Sequence, residues 1–376
     1  MASAEPIRIA IVGTGNIART HAKAIAEASG TEASGGQPAA PRATLIAAMD
    51  TDTSRLDPFC AEFGIPDGYR NLADLLARAR PGLVHVCTPP AAHYAAAVTC
   101  LRAGASVLVE KPPVISLREL DGLAAAQGPQ TAPWFATVFQ HRFGSGQRRL
   151  KALAARGVLG RPLVAVCLTT WFRDQAYIDV PWRGNWDTEG GGPTMGHGIH
   201  QMDMLLDVLG DWTEVSALAR TSARVMATED LSLAHVSFAS GAVASVVNSV
   251  LSPREESYLR FDYEYATVEV THLYGYDDDA WRITPAKGHE DEITAAWRSA
   301  AGGVRSGHAA QFRHVLAALG DGQQPPVTPV ASRRTMALVA GIYASAFTRR
   351  PVTTDDLEPA SPFYGAMNGG KPAPWQ

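Results

Sequence analysis

The chain opens on a pattern that few folds can use. The apolar run Ile7–Val12 (IRIAIV) passes directly into Gly13-Thr14-Gly15-Asn16-Ile17-Ala18, and residues 16–28 then carry a helical pattern. A strand, a GxGxxA turn and a helix in that order make the start of a dinucleotide-binding Rossmann unit. Gly13 permits the tight turn, Gly15 lets the backbone approach a pyrophosphate, and Ala18 is small enough for close helix–strand packing. A helix starting near Asn16 aims its N-terminal N–H groups at the phosphates. The motif predicts cofactor contacts from Gly13, Thr14, Gly15, Asn16 and Ile17.

The segments that follow fit this start. Residues 43–49 (ATLIAAM), 82–87 (GLVHVC) and 106–109 (SVLV) are further apolar runs, with helical patterns between them, as in Tyr94–Ala103. Continuous apolar runs alternating with helices predict a parallel, doubly wound sheet buried on both faces. Residues 30–42, rich in Gly, Pro and Ala, predict a loop insertion. Asp50 ends the second run, where a carboxylate can accept hydrogen bonds from the ribose hydroxyls of NAD and repel the 2′-phosphate of NADP. It lies further from Gly13 than the usual spacing of about 20 residues, and the 30–42 insertion accounts for the excess. Arg55 nearby leaves NADP possible.

After about residue 133 the pattern changes. Strand-like stretches occur at 163–172, 212–222, 231–239, 242–250 and 256–270, interrupted by one strong helix at about 194–209. Successive strands without intervening helices predict a mainly antiparallel sheet. Helical segments follow at 308–319 and 332–347, and the Pro/Gly-rich tail from Pro351 reads as irregular. The expected organisation is a Rossmann domain over 1–132 and a C-terminal α+β domain over 133–376, built on a large open-faced, mainly antiparallel sheet.

Composition narrows the classes. A net charge of -4 is unlike the basic footprint of a nucleic-acid binder. The four cysteines form no CxxC pair, which argues against a disulfide frame or zinc site. The N-terminus has no basic segment followed by an apolar stretch and cleavage site, and no apolar run has membrane-spanning length. A soluble cytoplasmic protein with a small-molecule substrate is expected.

Cys87-Thr88-Pro89-Pro90, His93, Glu110-Lys111-Pro112, Gly190-Gly191-Gly192, His200-Gln201-Met202-Asp203 and Leu209-Gly210 together resemble the Gfo/Idh/MocA family of oxidoreductases, the family of glucose–fructose oxidoreductase and inositol dehydrogenase. The resemblance runs over nearly the whole chain, down to Val352 after the Ser345-containing helix, which fits the family's closing strand. It implies a nicotinamide cofactor, a sugar, inositol or glycoside substrate, and a homo-oligomer (dimer or tetramer) formed through the large sheet. It further implies that Thr88 and Pro89 sit by the nicotinamide, with His93, Glu110 and Lys111 lining the same cleft.

Oxidising a secondary alcohol requires a base that reaches the hydroxyl and a donor that holds the oxygen as it becomes a carbonyl. Lys111, at the end of a strand, suits the donor; His200 suits the base because imidazole titrates near neutrality. Asp203, three residues on, could orient His200 or serve an interhelical contact. The family pattern usually has an aspartate four residues before this histidine. Here Gly196 stands there, followed by His197, which implies a weaker base, a substrate role for His197 or a different substrate geometry. His197, His200 and Asp203 spread over an arc of about 120° on one helix, which makes shared metal ligation awkward, and no metal site is expected.

Gln140-His141-Arg142-Phe143 resembles the family's NxRF segment, and Arg142 is a candidate for either substrate contact or bracing. The loop 171–189 is dense in aromatics and charge; Trp171, Tyr177, Trp182, Arg183 and Trp186 could pave a sugar site, with Tyr177 and Arg183 the favoured contacts. Two alternatives to simple dehydrogenation stay open. One is a glycoside-processing enzyme that oxidises a sugar carbon transiently and eliminates an aglycone; the other is a non-catalytic dinucleotide sensor.

Overall fold

A computed structural model describes residues 5–128 and 132–375, and the chain forms two compact units. The first comprises the chain through Val114, Glu119–Gln140 and Gly307–Ser332; the second comprises Ile115–Arg118, His141–Ser306 and the chain from Arg333 onward. This differs from a single cut between residues 132 and 133, because a late segment returns to the first unit.

In the first unit the order is β1 (Ile7–Val12), α1 (Asn16–Ala28), β2 (Ala43–Met49), α2 (Thr53–Phe63), β3 (Asp67–Tyr69), α3 (Leu72–Ala79), β4 (Leu83–Val86), α4 (His93–Arg102), β5 (Ser106–Val109), α5 (Leu117–Gln127, whose first residues belong to the second unit) and β6 (Phe135–Thr137). All pairings are parallel, in the order β3-β2-β1-β4-β5-β6. This is the Rossmann order, in which a ligand crevice opens at the carboxyl ends of β1 and β4, where the strand order reverses. β4 and β5 are buried at every residue, as continuous apolar runs require.

The return segment carries α11 (His308–Gly320), which completes this core. Its Phe312, Val315 and Leu316 join Ile9, Ala18, Ala22, Ile25 and Leu83 in one buried cluster. Gln311 Nε2 donates to the Thr137 carbonyl at 2.7 Å. The 30–42 segment is a loop closed by a bridge between Ser34 and Gln37. Arg313 of α11 holds it by donating from Nε to the Pro38 carbonyl at 2.6 Å.

The second unit contains α6 (Ser145–Ala155), β7 (Pro162–Phe172), α7 (Gln175–Ile178), α8 (Pro193–Gly196), α9 (Ile199–Leu209), β8 (Trp212–Arg220), β9 (Leu231–Phe238), β10 (Val243–Ser249), β11 (Leu251–Tyr263), β12 (Ala266–His272), β13 (Trp281–Pro285), α10 (Glu290–Ser299), most of α12 (Pro329–Thr348), β14 (Val352–Thr353) and α13 (Pro362–Gly365). Eight strands form one sheet in the order β13-β12-β11-β7-β10-β9-β8-β14. Only β10 and β7 pair in parallel; the rest are antiparallel. One face is covered by helices, while the other exposes Val164, Leu218, Leu233 and Val243. β14 pairs Val352 with Val215, so the closing strand lies where the resemblance implies.

Two expectations fail here. The helix over 194–209 is broken into α8 and α9 at His197-Gly198. A Cβ on Gly198 would lie 1.9 Å from Asn248 Oδ1 on β10, so this corner needs a glycine against the sheet. The stretch 256–270 is two strands, β11 and β12, joined by a turn at Glu264-Tyr265.

Candidate active site

At the nucleotide end, Gly13 sits at φ +86, and a Cβ there would come within 2.9 Å of the Cys87 and Thr88 backbone. The turn is thus pressed between β1 and β4, and only glycine fits. Gly15 differs: a Cβ on it would meet nothing within 4 Å. It is the N-cap of α1, and no side chain satisfies the first N–H groups of that helix. Open space over uncapped N–H groups is what a pyrophosphate requires.

Asp50, half-buried, directly follows β2. Its Oδ2 accepts from the Thr14 backbone at 2.8 Å and from Thr14 Oγ1 at 3.0 Å, and its Oδ1 accepts from the Asp52 backbone at 3.0 Å. The carboxylate is therefore oriented by the glycine turn, with lone pairs left for ribose hydroxyls. Thr88 Oγ1 is a buried atom with no partner among the described residues, again at the carboxyl edge of the sheet. These features fit a dinucleotide.

His93 does not fit as a direct cofactor contact. Its Nδ1 faces the Pro112 carbonyl at 2.8 Å and its Nε2 the Thr88 carbonyl at 2.7 Å. Both nitrogens are spent on bracing the Thr88-Pro89 turn against the Glu110-Lys111-Pro112 turn.

Glu110 also differs from the expected cleft-lining role. It is buried, and its Oε1 meets His21 Nε2 at 2.8 Å and His308 Nε2 at 3.3 Å, while Oε2 accepts from the Lys111 backbone at 3.1 Å. Burial pushes this carboxyl up, but the bonds from His21 and His308 outweigh it and hold the group well below the ordinary range. His21 Nδ1 meets His85 Nδ1 at 2.9 Å, and burial lowers both of these imidazoles toward the neutral form. Lys111 itself is half-buried, directly after this anchor.

In the second unit, Tyr177 on α7 points its hydroxyl at His197 Nε2, 3.2 Å away. The Arg183 guanidinium lies 3.9 Å from the Tyr177 ring centroid and 4.1 Å from that of Trp182. Arg183 donates to Glu189 Oε1 at 3.1 Å, and the Gly184 N–H donates to Glu189 Oε2 at 2.7 Å. Trp171 packs edge-on against His197, with Arg173 and Tyr274 beside it. Burial raises the Tyr177 hydroxyl pKa, so it stays protonated and can donate. Trp186 serves the fold instead, donating to the Ala227 carbonyl at 2.9 Å and packing on Tyr343 and Phe347.

His200, near the start of α9, is buried with its ring 5.0 Å from that of His141, which in turn lies 5.2 Å from His272. Burial pushes His272 down to about 4, so it is neutral at neutral pH. Asp203 does not serve as the orienting carboxylate for His200. Its oxygens accept from Arg142 Nε at 2.6 Å and Thr335 Oγ1 at 2.9 Å, and Arg142 also reaches Asp207 at 3.1 Å. Arg142 is thus a brace holding α9 and not a group directed at substrate. α8 is held from the other side by Glu229, which accepts from the Gly192 and Thr194 backbones and the Tyr343 hydroxyl. Sequence reasoning missed Glu189, Glu229, His141, His272, Arg173 and Tyr274 as members of these clusters. Glu189 is the one with a local signal, since it immediately precedes the Gly190-Gly191-Gly192 run.

Family models match on both units: the NAD-binding Rossmann fold of the oxidoreductase family GFO_IDH_MocA over residues 7–130, and the GFO/IDH/MocA C-terminal domain over residues 147–270. The chain belongs to the Gfo/Idh/MocA family. It is an NAD-binding oxidoreductase. Among its Gfo/Idh/MocA relatives, the D-glucoside 3-dehydrogenase of Escherichia coli (strain K12) is 29% identical over 215 residues, covering 55% of each chain, so the match spans about half of that relative. The D-apiose dehydrogenase of Paraburkholderia graminis is 23% identical over 383 residues, 96% of this chain and 93% of the relative. The WlbA dehydrogenase from Bordetella pertussis, solved in complex with NADH and UDP-GlcNAcA, superposes with a TM-score of 0.79 at 25% identity, covering 93% of this chain and 99% of that one.

The departure from the Gfo/Idh/MocA pattern at Gly196 has a structural counterpart. A Cβ on Gly196 would lie 3.3 Å from Oε1 of Glu189. A side chain at position 196 would therefore start in tight contact with a carboxylate from a different segment, which would have to give by a few tenths of an ångström.

Proposed function

We propose that the protein transfers a hydride between NAD(H) and a secondary alcohol or ketone of a sugar, inositol or glycoside. The carbohydrate part of this reading is carried by the Tyr177–His197 pair with the Arg183–Glu189 pair beside it, set among Trp171 and Trp182. Polar groups held among aromatic rings suit a ring with hydroxyl edges and apolar faces. The named activities of the glucoside and apiose dehydrogenases support the same substrate class.

When bound, the nicotinamide supplies the two-electron partner for the alcohol carbon. Gly13, Thr14, Gly15, Asn16 and Ile17 would hold the cofactor's pyrophosphate side, Asp50 its ribose, and Thr88 and Pro89 its nicotinamide side. Lys111 donates to the substrate oxygen and stabilises it as it becomes a carbonyl. His200 takes the hydroxyl proton. His197, kept in place by Tyr177, binds a neighbouring hydroxyl. Glu189, at the Gly196 corner, supplies the negative charge that the family's aspartate would bring and keeps Arg183 directed toward the substrate.

Among the described residues no helix is long and apolar enough to cross a membrane. We place the protein in the cytoplasm, consistent with its free cysteines, three of them buried. The exposed Val164, Leu218, Leu233 and Val243 on the open sheet face support a homo-oligomer formed through that sheet.

The test is absorbance at 340 nm with NAD⁺ or NADP⁺ across a panel of glycosides, free sugars and inositols. NADH formation with a pyranoside or polyol is expected. Aglycone release without NADH accumulation would favour transient oxidation and elimination, and tight NADH binding without turnover would favour a sensor.

A further inference from the structure

The first unit gathers metal-ligating groups that the proton chemistry above does not use. His21 on α1, Glu110 after β5 and His308 at the start of α11 come from three distant segments, yet their ligand atoms all lie within 4.8 Å of one another. We propose that His21 Nε2, Glu110 Oε1 and His308 Nε2 form a binding site for a divalent transition metal of the zinc class.

The donor set is the first argument. Two imidazoles and one carboxylate are ligands that zinc takes in three-ligand sites, with a further position left for water. Geometry is the second. The two Nε2 atoms stand 2.8 Å and 3.3 Å from the same carboxylate oxygen. Ligand atoms at about 2.0–2.1 Å from one ion are separated by roughly 2.9–3.4 Å in octahedral or tetrahedral arrangements. The third argument is the supporting shell. A metal on His21 Nε2 leaves the proton on Nδ1, which then donates to His85 Nδ1 at 2.9 Å, as a ligating histidine usually does with its second nitrogen. Glu110 is held through its other oxygen by the Lys111 N–H at 3.1 Å, leaving Oε1 toward the imidazoles. Burial is the fourth: the side chains of His21 and Glu110 are 0% and 7% exposed, and that of His308 is 14% exposed, so the donors are largely withdrawn from bulk water. Such an ion would tie α11 to the strand end that carries Lys111. The site stands on residues of the first unit alone and does not depend on the carbohydrate reading.

The test uses the full-length, tag-free protein stripped with chelator and titrated with Co²⁺ and Zn²⁺. One ion per chain is expected at micromolar concentrations, with visible ligand-field bands for Co²⁺ and a raised melting midpoint. His308→Ala, and His308→Gln as a version closer in size, should each weaken uptake at least tenfold and abolish the bands, with NADH binding followed in parallel to establish that both variants are folded. The proposal is overturned if no stoichiometric uptake occurs, or if both His308 variants bind as the parent does. In that case the cluster is a hydrogen-bonded anchor for Glu110 only.

Discussion

Gly13 and Gly15 lie two residues apart, and the structure assigns them separable tasks that single methyl groups can tell apart. In Gly13→Ala the new Cβ falls within 2.9 Å of backbone atoms of Cys87 and Thr88, and the residue must keep φ +86. Left-handed backbone costs an alanine about 1–2 kcal/mol, and forcing a methyl into packed backbone adds about 1–3 kcal/mol. The sum, roughly 2–5 kcal/mol, is a large share of a typical folding stability of about 5–15 kcal/mol. In Gly15→Ala the Cβ meets nothing within 4 Å, and φ is an ordinary −68. Its stability change should stay within about 1 kcal/mol, since alanine is only a poorer N-cap and a stiffer unfolded chain. That methyl instead enters the space above the helix N-terminus, where close approach of a pyrophosphate needs bare backbone. Thermal unfolding without ligand and NADH titration by fluorescence read the two effects. Gly13→Ala should lose stability, while Gly15→Ala should melt like the parent and bind NADH at least tenfold more weakly. A Gly15→Ala protein that binds NADH normally, or a Gly13→Ala protein as stable as the parent, would refute the assignment.

Two further perturbations test the supports of the second unit. Burial pushes Glu229 up to about 7 from 4.5. Its favourable contribution is therefore complete below the unfolded value and is lost as pH rises through the folded one, a change of roughly 3 kcal/mol. Glu229→Gln should flatten the decline between about pH 4.5 and 7 in urea unfolding, and parallel curves for the two proteins would contradict the burial argument. Arg142→Ala strands the Asp203 carboxylate, 1% exposed, without its partner. It should destabilise by about 3–5 kcal/mol in chemical unfolding, with Asp203→Asn in the same background recovering part of the loss; a change below 1 kcal/mol would return Arg142 to a substrate role.

Much of the fold was legible because its signals are local. The glycine turn after β1 and the apolar runs of β2, β4 and β5 each declare themselves within a few residues. The strands that sequence reading passed over, β3, β6 and β13, lie at sheet edges and span three to five residues. Edge strands that short carry little apolar pattern. The β11–β12 turn was hidden because Glu264-Tyr265 contains none of the usual turn residues. At the break between α8 and α9, Gly198 lies so close to Asn248, far away in the sequence, that no side chain fits there. The site shows the same division. Asp50, off the usual spacing because of the 30–42 insertion, follows the end of β2 and is bonded to the glycine turn, and Tyr177, Arg183 and His197 gather in one cluster. The partners of Arg142, Glu110 and His93 were set by tertiary contacts that no window of sequence displays. For that reason a candidate substrate contact became a brace, and two candidate cofactor contacts became anchors.

The central claim is that Lys111 and His200 carry the proton chemistry of an NAD-dependent oxidation. The most direct test is steady-state turnover of Lys111→Met and His200→Ala on the best substrate from the panel, with NADH affinity measured on the same preparations. Both variants should bind NADH within about threefold of the parent and lose 10²–10⁴-fold in kcat, the usual contribution of a positioned acid or base. Near-parental kcat in either variant, with cofactor bound normally, would contradict the account.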